Sequence, residues 1–146
     1  MPSHNQSFNM RNVTNVAEEK CLEYFKENKI TYTRYGFDCI NTISAKDFMK
    51  VPHKLRATPD YMIFGKSAHL LEVKGCYDLL RLKLDDVKAY NFWQTLANLY
   101  IFVYSTKVDS HKIVPFSKLV DVSGQCKIDY YEDNGKAYYK IPWEVI

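Results

Sequence analysis

The sequence predicts an α/β fold, a mixed β-sheet flanked by helices and closed by a C-terminal β-hairpin. Three observations carry this expectation. Segments of helical and of strand periodicity follow one another in the order helix, strands, helix, strand. The run Tyr100 to Tyr104 is continuously apolar and aromatic, as in a strand buried on both faces. Asn134-Gly135 separates two strand-like runs, Ile128–Tyr131 and Ala137–Ile141, and is a strong hairpin turn.

Length and composition bound the answer. With 146 residues, 47% apolar and 15% aromatic, one domain can bury roughly two-thirds of the surface its unfolded chain exposes, so disorder is excluded. Four cysteines, Cys21, Cys39, Cys76 and Cys126, have no short paired spacing. Reduced structural thiols in a cytoplasmic protein are expected rather than zinc knuckles or disulfides. Ala89 to Thr106 carries no charge, but Asn91, Gln94, Thr95 and Asn98 interrupt it at helical spacing, against a membrane span.

The elements follow in chain order. Residues 1–14 are polar and read as a flexible tail, and residues 15–146 as a single domain. A first helix is expected from Asn15, with Glu18 completing a capping-box pattern. Ala17, Cys21, Leu22, Tyr24 and Phe25 fall on one apolar arc, with Glu19, Lys20, Glu23, Lys26 and Glu27 opposite. Glu18 lies inside that arc, where a carboxylate is costly to bury unless something binds it. Thr31–Phe37 reads as a strand. Pro59–Phe64 and Ala68–Lys74 form a hairpin around Gly65-Lys66-Ser67. Asp85 then caps a helix to about Asn98, with Ala89, Tyr90, Phe92, Trp93, Leu96 and Ala97 inward, and Ile113–Val122 offers short strands.

The hairpin carries the chemistry. Period-2 geometry places Leu70, Glu72 and Lys74 on one face of their strand and His69, Leu71 and Val73 on the other. Asp60 opens the paired strand, so its carboxylate comes near that of Glu72. Two carboxylates aimed at one spot repel, and a divalent cation resolves the conflict. All-oxygen donors select a hard ion, Mg²⁺ or Mn²⁺. Lys74 adds a cation beside it, able to orient or deprotonate a water and to offset charge on a phosphate. These are the parts that phosphodiester hydrolysis needs.

Pro59-Asp60 and Glu72-Val73-Lys74 resemble the motif of the PD-(D/E)XK nuclease superfamily. Glu18, Cys21, Tyr24 and Phe25 fit the upstream helical pattern of that superfamily. The local context is most similar to phage-type and archaeal-type Holliday-junction resolvases and related small phage nucleases. The resemblance covers about Asn15 to Ser105; residues 106–146 match nothing in it. It implies a restriction-endonuclease-like core and a metal held by Asp60, Glu72, the Val73 carbonyl and, through water, Glu18. It also implies Lys74 as catalytic lysine, Gln94 as a polar residue near the site, DNA as substrate, and 5′-phosphate and 3′-hydroxyl ends. Glu18 retains a second reading as a helix-capping carboxylate.

Substrate contacts follow from charge. Residues 46–91 hold nine basic and six acidic groups, and the rest of the chain is balanced, so the whole net charge of +3 sits there. Lys54, Arg56, Lys66, Arg81, Lys83 and Lys88 are candidate phosphate contacts around the motif. His53 matches the upstream histidine of some viral cap-snatching nucleases, or is an ordinary loop histidine. The expectation is therefore a Mg²⁺-dependent DNA endonuclease, acting as a homodimer because cutting two strands takes two sites. The alternatives are a homing or restriction-type enzyme that reads sequence with its C-terminal segment, a cap-snatching-like ribonuclease, and a non-catalytic nucleic-acid-binding module.

Overall fold

The structure, a computed structural model, describes residues 4–36 and 44–146. Helix α1 (His4–Glu27) starts upstream of the expected Asn15, which lies in its interior and caps nothing. Val13 packs against Gly75 of the sheet, a tertiary contact that extends the helix beyond its local start signal. Ala17, Cys21 and Phe25, spaced four apart, are at most 1% exposed, and burying Phe25 alone stabilises the fold by roughly 1.5–3 kcal/mol. The helix stops where Lys29 turns left-handed at φ 51°. There Lys29 N–H donates to Lys26 O at 3.3 Å and Ile30 N–H to Phe25 O at 2.9 Å, satisfying two terminal carbonyls.

Strand β1 (Thr31–Arg34) is shorter than expected, and Phe37 and Cys39 lie outside the described residues. Two short helices, α2 (Ala45–Phe48) and α3 (His53–Arg56), lead to β2 (Tyr61–Phe64). β2 pairs antiparallel with β1 and with β3 (Ala68–Cys76), in the register Tyr61↔Leu71 to Phe64↔Ala68. β3 runs parallel to β5 (Leu99–Ser105), which pairs antiparallel with β6 (Ser110–Pro115). Among the described residues the main sheet thus has five strands, in the order β1-β2-β3-β5-β6. A parallel pair needs a crossover, and α4 (Leu84–Trp93) supplies it.

Before α4 the chain forms β4 (Leu79–Lys83), which the sequence reading did not anticipate. Its partner β8 (Ala137–Pro142) lies far along the chain, and β8 also pairs with β7 (Ile128–Tyr130). The expected C-terminal hairpin is therefore part of a second, three-stranded sheet, and Gly135 takes φ 67° in its turn.

Two helical expectations need correction. Helix α4 has Lys83 rather than Asp85 at its N-cap and ends at Trp93, with Gln94 as C-cap. The Thr95 hydroxyl donates to Phe92 O at 2.6 Å, so the segment turns instead of continuing, and Leu96 is left 62% exposed. Residues Phe116–Ser123, read as strand, form helix α5. Their valines favour strands locally, but Phe116, Leu119 and Ser123 bury one helical face against the core, and packing outweighs propensity.

The main sheet is covered on both sides. Leu71, Val73, Phe102 and Tyr104 pack with Ala17, Cys21 and Phe25 of α1. Leu70, Ile101 and Val103 pack on the opposite side with Tyr90 and Trp93 of α4, Phe116 and Leu119 of α5, and Leu80, Leu82 and Ile141 of the second sheet. Cys21, Cys76 and Cys126 are free thiols, and burial pushes Cys21 up to about 12 and Cys76 up to about 11, so neither is a ready nucleophile. No helix among the described residues is long and apolar enough to cross a membrane.

Candidate active site

The β2–β3 ladder ends at Tyr61↔Leu71, and the Asp60 side chain takes over where it stops. Val73 N–H donates to Asp60 Oδ2 at 2.8 Å, while Asp60 N–H donates to Glu72 Oε2 at 3.2 Å. The two acids predicted to converge are thus locked by reciprocal backbone bonds. Asp60 also faces Arg34 of β1, whose Nη2 lies 3.6 Å from Oδ1.

Period-2 alternation turns Glu72 and Lys74 towards α4. Tyr90 Oη donates to Glu72 Oε1 at 2.8 Å. Lys74 Nζ lies 3.3 Å from Glu72 Oε1 and donates to Asp86 Oδ2 at 3.4 Å. Burial pushes the Glu72 carboxyl up to about 8; the Asp60 charge adds to this, while Lys74 and the Tyr90 hydroxyl oppose it. Burial works against the Lys74 ammonium, but Tyr90, Glu72 and Asp86 together hold its pKa well above the ordinary value. Lys74 is therefore a cation at neutral pH, suited to orienting water or stabilising negative charge and unsuited to accepting a proton.

These groups open onto a cleft of about 490 Å³, lined on the α1 side by Glu18 and Thr14 and on the other by Asp86, Arg81, Lys83 and Tyr131. Glu18 sits mid-helix, so a capping role has no helix end to act on. The charges of Glu18 and Asp60 add to the burial that raises the Cys21 thiol. Among the described residues no group of three or more His, Cys, Asp or Glu residues is placed to hold a metal ion by itself. The donor set nonetheless suits a hard ion, because Mg²⁺ is commonly held by one or two carboxylates and completes its shell with water and substrate oxygens.

The remaining candidates divide by position. Arg81 and Lys83 line the cleft, with Lys83 Nζ 5.7 Å from the centre of the Tyr131 ring and Arg81 Cζ 5.4 Å from that of Tyr138. Lys54, Arg56 and Lys88 come together in a neighbouring cleft with His53. Lys66 is in the turn at the far end of the β2–β3 hairpin from Asp60. Gln94 sits beyond the end of α4, where its Nε2 donates to Asn91 Oδ1 at 3.1 Å, and it does not line the cleft. Sequence reasoning missed Arg34, Asp86, Tyr90 and Tyr131. Asp86 and Tyr90 are four apart on one predicted helix, the only signal available; the other two depend on strand pairing.

The chain shares its architecture with solved structures of nucleases. It is similar to Hjc, a Holliday junction resolvase from the archaeal hyperthermophile Archaeoglobus fulgidus, at TM-score 0.52 and 17% identity over 90% of this chain and 85% of that one. It is equally similar to a nuclease from a fusellovirus, at TM-score 0.52 and 13% identity over 92% and 82% of the two chains. No family model matches the chain, and no curated protein matches it in sequence.

Proposed function

We propose that the chain is a metal-dependent endonuclease that hydrolyses phosphodiester bonds in DNA. The observation that carries this reading is the convergence of Asp60, Glu72 and Lys74 on one cleft in a resolvase-like fold. Asp60 and Glu72 would hold Mg²⁺ or Mn²⁺ together with the Val73 carbonyl, and Glu18 would bind it through water. The ion supplies charge neutralisation at the phosphate and a more acidic water. Tyr90 holds Glu72 in place, and Asp86 holds Lys74. Lys74, kept as an ammonium, orients the attacking water and offsets charge on the phosphate. Arg81 and Lys83 flank the cleft where adjacent phosphates would lie.

Acting on a junction or both strands of a duplex calls for a second copy, so we infer a homodimer, to be tested by light scattering. A second reading, a non-catalytic DNA-binding module, draws on the pairing of Lys74 with Glu72 and Asp86, which leaves the lysine engaged by protein carboxylates. Incubation with supercoiled plasmid, a four-way junction and single-stranded RNA, in Mg²⁺ and then in EDTA, separates the two. Metal-dependent DNA cleavage, abolished by Asp60→Asn and Lys74→Ala with binding retained, supports the enzyme. No cleavage of any substrate sinks it.

A further inference from the structure

We propose that a second, basic cleft beside the catalytic one is a docking site for the sugar-phosphate backbone of duplex DNA, and that the β7–β8 loop forms its outer wall. The inference rests on the nuclease reading for its substrate. This cleft, of about 410 Å³, brings together His53, Lys54 and Arg56 of α3, Lys88 of α4 and Lys136 of the β7–β8 loop. Among the described residues that line it, four full positive charges face one carboxylate, that of Asp85. Like charges gathered from three elements repel one another, an arrangement that a polyanion relieves.

The two clefts adjoin across the first turn of α4. Asp86 lines the catalytic cleft and Asp85 the basic one, and His53 Nε2 approaches Asp86 Oδ1 to 3.5 Å. The β7–β8 segment spans both in the same way, with Tyr131 in the first and Lys136 in the second. A strand whose phosphate lies at Asp60 and Glu72 therefore continues over this turn into the basic cleft.

The walls are firm. Trp93 Nε1 donates to Lys54 O at 3.0 Å, tying α3 to α4, and Lys54 Nζ lies 4.5 Å from the centre of the Phe92 ring. The loop holds itself through Gly135 N–H to Tyr131 O at 2.8 Å and Lys136 N–H to Asn134 Oδ1 at 2.9 Å. Among the described residues, and apart from the His53 ring, the lining has no aromatic side chain on which an unpaired base would stack, which favours duplex over single-stranded nucleic acid.

The test measures binding of a fluorescein-labelled DNA duplex by anisotropy across a salt series in EDTA, where no cleavage intervenes. The triple variant Lys54→Ala, Lys88→Ala, Lys136→Ala should bind at least ~10-fold more weakly at about 0.1 M salt, with the slope of log affinity against log salt reduced by about 2–3. Lys136→Ala alone should weaken binding and Lys136→Arg restore it, while Lys118→Ala, on α5 outside both clefts, should bind like the parent. Unchanged affinity in the triple variant with an unchanged melting temperature overturns the proposal, as does tighter binding of single-stranded RNA than of duplex. Cleavage that persists without this dependence leaves the nuclease standing and removes the docking site. Charge-dependent binding without any cleavage does the reverse.

Discussion

Tyr90, on the crossover helix, donates its hydroxyl hydrogen to Glu72 Oε1 at 2.8 Å, so the carboxylate of β3 is aimed by a residue from the opposite layer of the fold. Tyr90→Phe keeps the ring packed against Phe116, at 5.6 Å between centroids, and removes only the donor. The expected result is a loss of about 1 kcal/mol of stability and a roughly 10-fold or greater loss of cleavage rate, partly recovered at higher Mg²⁺. Melting curves and a Mg²⁺ titration of the rate check both. A rate unchanged at all Mg²⁺ concentrations contradicts the aiming role.

The raised pKa of Glu72 predicts a pH dependence with a definite sign. The folded chain keeps this proton up to about pH 8, whereas the ordinary value is 4.5. Between these limits the folded state binds more protons than the unfolded one, so this group's contribution to stability falls as pH rises. In EDTA, Glu72→Gln should melt close to the parent near the lower limit and progressively above it as pH rises to about 8, with the gap levelling off beyond. A melting difference that is flat with pH would show that Glu72 ionises normally.

Gly75 is where α1 meets the sheet. A Cβ there would lie 2.5 Å from Val13 O and 2.8 Å from Val13 Cγ1, so Gly75→Ala must push the helix off β3. A loss of roughly 1–3 kcal/mol is expected in denaturant titrations. Because Glu18 rides on the same helix, cleavage by the fully folded variant at low temperature should also fall. Full activity in a destabilised variant would detach Glu18 from the site.

Glu18→Gln separates two roles that the sequence leaves open. With Glu18 in the interior of α1, the change should shift stability by no more than ~0.5 kcal/mol while cleavage drops. Equal losses of melting temperature and activity would assign it a structural role instead.

Lys74 shows how residue type and environment divide the information. Its place two residues after Glu72 fixes which face it shares, by the two-residue period of a strand, and that was legible. Its charge state was not, because that depends on Asp86 and Tyr90 from another element. Asp60 and Glu72 were likewise legible as a pair, since both lie on one short hairpin. Gln94 and Lys66 lie outside the cleft for different reasons. The helix carrying Gln94 ends early at a threonine side-chain bond, and Lys66 sits in the turn at the far end of the β2–β3 hairpin from Asp60.

The sequence by itself determined the local units: the β2–β3 hairpin, the buried strand β5, the apolar stripe of α1 and the acid pair. Each depends on periodicity and turn chemistry within a few residues, and the chain states these directly. Only the tertiary structure decided that β4 joins β8, that Phe116–Ser123 is helical, that Arg34, Asp86 and Tyr90 surround the acids, and that Lys136 stands beside Lys54 and Lys88. Those relationships join residues up to 82 positions apart, as Lys136 to Lys54. Long-range packing and pairing set them, and no local pattern encodes which distant surface a side chain will meet.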